Sequence, residues 1–188
     1  MDSVNFTANH IKDVNIAKRY YKKYKPCKVS LVEFDPTNKK DIDAIDKTTA
    51  RWDESFTAFT YDDMREVSKN RSLLPDLHVY ALTTQTTNFD KIKPSKMLGV
   101  IEIVEKYTNG NKVEVLQTNP ALIKRNDNKK PRFKHIGEQL VSFIKEKFSD
   151  KPLYLNPTLS AIPFYEKQGF KRVPHKEKNN FFWIPSKS

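Results

Sequence analysis

The stretch Arg132-Phe133-Lys134-His135-Ile136-Gly137-Glu138-Gln139-Leu140 is where irregular chain passes into a helix. From Ile136 onward, apolar residues recur at Leu140, Phe143, Ile144 and Phe148, spacings that lay one stripe along one helical face. The helix is expected to begin between Arg132 and His135 and to run to about Phe148. Its first amides have no partner within the helix and sit at the positive end of its dipole, so the turn before it is suited to an anion. Gly137 in that turn has no β-carbon to obstruct a close approach.

The elements on either side of this turn define the fold class. Upstream, Met97-Leu98-Gly99-Val100-Ile101-Glu102-Ile103-Val104 is the clearest strand, and Asn109-Gly110 is a hairpin signal. Lys112 to Thr118 is then the antiparallel return strand, and His78 to Thr84 an earlier one. Downstream, Leu153-Tyr154-Leu155 reads as a short buried strand. A short helix from Ser160 to Gln168 ends at Gly169, and two strands follow over Phe170 to Val173 and Phe181 to Ile184. At the other end of the chain, Ile11, Val14, Ala17, Tyr20, Tyr21 and Tyr24 recur at helical spacing, predicting a helix over Asn5 to Lys25 that Pro26 stops. A strand over Lys28 to Phe34 and helices over Lys40 to Trp52 and Tyr61 to Asn70 complete the order. The expectation is one α/β domain, residues 1–188, with a mixed sheet flanked by helices.

Composition narrows the class. With 188 residues, 37% hydrophobic, the chain has enough apolar material to bury a core. No apolar run approaches the roughly 20 residues of a membrane span, and the first residues lack the apolar core of a secretion signal. The single cysteine, Cys27, excludes an internal disulfide and points to a reducing, cytoplasmic setting. The histidines His10, His78, His135 and His175 are scattered without metal spacing, so no metal is expected. No Walker-type phosphate loop occurs. The formal net charge of +11 implies affinity for polyanions without choosing among them. No aromatic–basic repeat stands out to favour nucleic acid.

Two stretches resemble a known family. Arg132 to Leu140 is similar to the acetyl-CoA signature of the GCN5-related N-acetyltransferases (GNAT), Arg/Gln-x-x-Gly-x-Gly/Ala, except that His135 stands where a glycine is usual. Ala161-Ile162-Pro163-Phe164-Tyr165-Glu166-Lys167-Gln168-Gly169-Phe170 resembles the family's late helix-to-strand block, A-x-x-F-Y-E-K-x-G-F. The resemblance covers about Lys96 to Val173. Before that only element order agrees.

The resemblance implies a GNAT-like, mostly antiparallel sheet and acetyl transfer from acetyl-CoA to an amine. It places backbone amides of Phe133, Lys134, His135, Ile136, Gly137 and Glu138 on the coenzyme A pyrophosphate, with charge from Arg132 and Lys134. It lays the pantetheine arm along Leu116, Gln117 and Thr118 as if it were an added strand. Tyr165 matches a tyrosine near the thioester sulfur, a general acid for the departing thiolate. Glu114 is a candidate base and Glu102 the other. The basic loop from Asn119 to Pro131, with Lys124, Arg125, Lys129 and Lys130, is longer than the family needs. It reads as a clamp on the 3′-phosphate, a landing strip for nucleic acid or a solvated loop. Trp52, Asp53, Glu54, Phe56, Phe59 and Tyr61 suit an amine acceptor or a contact between helices. The acceptor is open: a small amine, a protein amine or an aminoacyl-tRNA. A homodimer is common in this fold. The competing expectation is a non-catalytic module of the same fold that binds nucleic acid or protein through its basic surface.

Overall fold

The computed structural model describes residues 8–52, 55–70, 72, 76–107, 110–123, 130–173 and 180–185. In chain order the elements are β1 (Asn9–Tyr20), β2 (Lys23–Phe34), α1 (Lys39–Trp52), α2 (Ser55–Lys69), β3 (Leu77–Thr83), β4 (Met97–Tyr107), β5 (Gly110–Thr118) and α3 (Pro120–Ile123). They continue with β6 (Phe133–Lys134), α4 (Ile136–Lys147), β7 (Leu153–Leu155), α5 (Ile162–Lys167), β8 (Lys171–Arg172) and β9 (Phe181–Trp183). Among the described residues the strands form one sheet in the order β6-β1-β2-β3-β4-β5-β7-β9-β8. Every pairing is antiparallel except that of β5 with β7.

The helix expected over Asn5 to Lys25 does not exist in the described part of that span. It is replaced by β1, a turn at Tyr21-Lys22 and the start of β2. A bulge between His10 and Lys12 shifts the alternation, so Ile11, Val14 and Ile16 all pack towards α4. Their spacing therefore imitates a helical stripe. Pro26, read as a helix stop, pairs with Ala17 inside β2. It is tolerated because β3 joins β2 only from Ser30 onward, which leaves the outer side of β2 unpaired at Pro26. The helix expected over Tyr61 to Asn70 starts earlier, at Ser55.

The sheet has two apolar faces. Alternate residues of β2 and β3 divide between them: Val29, Leu31, Tyr80 and Leu82 face α4, while Val32, Phe34, Val79 and Ala81 face α1 and α2. Helix α4 buries Ile136, Leu140, Val141, Phe143 and Ile144 against the first face. Each such side chain contributes about 1.5–3 kcal/mol by burial. The approach requires Gly99 on β4, where a β-carbon would stand 2.7 Å from Ile136 Cγ2 and 3.1 Å from Leu140 Cδ1. No helix among the described residues is long and apolar enough to cross a membrane.

Candidate active site

Parallel pairing between β5 and β7 covers only Asn111–Val113 and Leu153–Leu155. Beyond Val113, β5 continues to Thr118 without β7 beside it, so its backbone on that side is open. Helix α4 begins beside this gap and α5 lies beyond it. Between them is a cavity of about 510 Å³, lined in part by Leu116, Thr118, Phe133, Gly137, Ala161 and Tyr165. That volume falls within the roughly 300–1,000 Å³ usual for small-molecule sites.

The turn into α4 is built by an unusual backbone. His135 caps the helix with φ +69° and ψ 20°, the left-handed region, and its side chain makes no capping hydrogen bond. This explains why a glycine suits the position: a residue with a β-carbon costs about 1–2 kcal/mol there. The half-exposed imidazole turns outward, with Nδ1 3.4 Å from Glu138 Oε1. Its main-chain carbonyl accepts the Gln139 N–H at 3.1 Å. The first amides of α4 therefore remain directed at the cavity end. Gly137 has a structural reason beyond that turn, because a β-carbon would stand 3.1 Å from Phe164 Cζ on α5.

Of the eleven residues that the resemblance places at coenzyme A or the sulfur, together with Glu114, nine line the cavity: Leu116, Thr118, Phe133, Lys134, His135, Ile136, Gly137, Glu138 and Tyr165. The other three stand elsewhere. Gln117 alternates away, its side-chain amide donating to the Thr118 carbonyl at 2.9 Å. Arg132 lines a separate surface depression with Arg19, Tyr21 and Lys130. Glu114 is ion-paired to Lys112 at 2.6 Å. Pro131, Ala161 and Phe164 also line the cavity and were not singled out for it. Phe164 reads as core in sequence, and it is also the surface on which Gly137 rests.

Tyr165 is 7% exposed, between the rings of Phe164 at 5.1 Å and Phe170 at 5.6 Å. Burial pushes its phenol up to about 12, so it stays protonated at neutral pH. On the opposite face of the sheet, Glu102 of β4 is fully buried against α2, with Asp63 and Thr60 beside its carboxyl. Burial first, then the neighbouring Asp63 carboxyl, push it up to about 8. Of the aromatic positions near α2, Trp52 is buried in the core while Phe56 and Phe59 are exposed. Asp53, Glu54, Lys124, Arg125, Lys129 and His175 lie outside the described residues. Among the described residues, no group of three or more His, Cys, Asp or Glu side chains is placed to hold a metal ion.

The sequence matches no protein-family model and no curated protein. Solved structures share the arrangement. One is a GNAT-family acetyltransferase from Staphylococcus aureus Mu50, 13% identical, covering 82% of this chain and 97% of that one at a TM-score of 0.52. Another is the Campylobacter jejuni N-acetyltransferase PseH, 14% identical, covering 83% and 99% at a TM-score of 0.50. The chain thus has the GNAT fold, a mixed, mostly antiparallel sheet flanked by helices, as the two motifs imply.

Proposed function

We propose that this chain moves an acetyl group from acetyl-CoA to an amine. The observation that carries the reading is the cavity itself. It joins the start of α4, the unpaired side of β5 and Tyr165, the three features an extended, phosphorylated thioester needs. The α4 amides accept the pyrophosphate, and Lys134 adds positive charge at the same end. Glu138 brings a carboxylate to the same turn, its Oε1 3.4 Å from His135 Nδ1. The open side of β5 offers its backbone to the amides of the pantetheine arm. Acetyl-CoA supplies the activated acyl group, and the chain positions it, shields it and moves protons.

Tyr165 stays protonated and donates a hydrogen bond to sulfur. At about 12 its phenol is a weaker acid than a thiol near 8.5, so complete proton transfer to the thiolate is uphill. Its contribution is therefore chiefly stabilisation of developing charge. Glu102 is the better base. Its raised pKa matches a group that takes a proton from an ammonium near neutral pH, whereas Glu114 is occupied by Lys112. In this proposal the acceptor approaches from the α2 face, where Glu102 lies, and acetyl-CoA from the α4 face, the two meeting at the β5–β7 gap. One catalytic domain over residues 1–188 and a cytoplasmic setting belong to the same proposal.

Calorimetry with acetyl-CoA tests it, using Leu116→Trp to fill the cavity. Micromolar-range binding by the native chain, lost in a variant that still melts cooperatively, supports the reading. A folded native chain with no heat of binding even at high acetyl-CoA rejects it.

A further inference from the structure

The β1–β2 hairpin extends beyond the body of the sheet, since β3 reaches only to Ser30. Residues 17–25, Ala-Lys-Arg-Tyr-Tyr-Lys-Lys-Tyr-Lys, hold five cations, three tyrosines and no acid. This aromatic–basic run is the feature that reading the segment as a helix obscured. The tyrosines differ in role. Tyr24 anchors the hairpin: its hydroxyl donates to the Pro131 carbonyl at 2.7 Å and Lys134 Nζ stands 4.3 Å over its ring. Tyr21 is presented to solvent at 97% exposure, and Tyr20 at 43%, with Lys18 Nζ 5.1 Å from its ring centroid.

Nothing in the fold explains Tyr21. It occupies the hairpin turn at φ +52°, where glycine or asparagine costs less, and its ring is almost wholly in water. Beside it, Lys22, Lys23 and Lys25 are exposed and enter no ion pair among the described residues. They line a shallow depression with Tyr20, Tyr21 and Pro26. A second depression joins Tyr21 and Arg19 to Lys130 and Arg132. Exposed rings interleaved with unpaired cations suit a ligand carrying flat bases on a phosphate chain. An acidic protein surface would use the charges and leave the rings idle.

The hairpin is also fastened to the wall of the cavity. Arg19 N–H donates to the Arg132 carbonyl at 2.8 Å, Arg19 Nη1 to the Lys130 carbonyl at 2.9 Å, and β6 pairs with β1 at Ala17 and Lys18. Pro131, Phe133 and Lys134 in this same segment line the cavity.

We propose that the β1–β2 hairpin binds single-stranded nucleic acid, with Tyr20 and Tyr21 as stacking platforms and Lys22, Lys23 and Lys25 on the phosphates, beside the rim of the cavity. Fluorescence anisotropy of the whole chain with a labelled single-stranded RNA of about 12 nucleotides, within the usual site size, tests this. Binding is expected to weaken steeply with salt. Tyr21→Gly should weaken it by about tenfold or more without lowering the melting temperature. Lys22→Ala with Lys23→Ala should reduce the slope of log affinity on log salt by about 1.4. Acetyl-CoA affinity should be unchanged in both variants, which separates this surface from a clamp on coenzyme A. Absence of RNA binding at low salt overturns the proposal. So does a Tyr21→Gly variant that binds RNA like the native chain, or a double-lysine variant that loses acetyl-CoA and keeps RNA. The inference stands apart from acetyl transfer: RNA binding here by a chain that ignores acetyl-CoA would sink only the enzymatic reading.

Discussion

In the proposed reaction Tyr165 and Glu102 handle protons while His135 shapes the turn into α4, and the surroundings of each set what it can do. Tyr165 owes its high pKa to burial among Phe164, Phe170 and the cavity wall. Tyr165→Phe keeps the packing and removes the donor, so kcat should fall by about ten- to a hundredfold with little change in acetyl-CoA affinity. An unchanged kcat would remove Tyr165 from the chemistry. In the proposed reaction Glu102 links activity to stability. Its carboxyl is near 4.5 when unfolded and about 8 when folded, so across that window the native state holds the extra proton. Stability should therefore decline as pH rises from about 4.5 to 8, the reverse of an ion-paired carboxylate. Denaturant titrations at the two ends of this window check the sign, and Glu102→Gln should flatten the difference. The same variant should abolish the rise of kcat/KM with pH. His135 holds a left-handed backbone with a side chain. His135→Gly should stabilise the fold by about 0.5–1 kcal/mol, read as a higher denaturant midpoint, because the relief of strain exceeds the added freedom of the unfolded glycine. A lower midpoint would mean that the contact between His135 and Glu138 outweighs the strain.

At the level of elements, the decisive fit is α4 on β4. Gly99→Ala would push against Ile136 and Leu140 and displace the start of α4. The expected cost is about 1–3 kcal/mol of stability together with a raised KM for acetyl-CoA. A destabilised variant with native KM would separate the packing from the binding turn. This part of the chain was legible in the sequence for physical reasons. The stripe from Ile136 to Phe148 is regular, Asn109-Gly110 marks its hairpin, and the two motifs put Gly137 and Tyr165 on facing helices. The first strands were not legible. A bulge broke the two-residue alternation of β1, Pro26 sat on an unpaired side of β2, and tyrosines placed by a turn fell at helical spacing. Distances across the sheet were equally hidden. Nothing in the local sequence separates Glu102, buried beside Asp63, from Glu114, paired to Lys112. The departure of Arg132 and Gln117 from the cavity likewise depends on strand alternation and on the path of β6 beside β1.

For the whole molecule, the layout is a sheet that parts between β5 and β7, with the cavity on one face and the Glu102 carboxyl on the other. A ligand that bridges this gap ties α4, α5 and β5 together and favours only the folded chain. Acetyl-CoA at a hundred times its dissociation constant should stabilise the protein by about 2.7 kcal/mol. The most direct measurement is amide chemical-shift mapping of the isotope-labelled chain on addition of acetyl-CoA. The predicted result is a set of shifts centred on Phe133 to Glu138 and on Leu116 to Thr118, with Tyr165 following. Shifts confined to the β1–β2 hairpin, or none at saturating acetyl-CoA, would contradict the assignment of the cavity to coenzyme A.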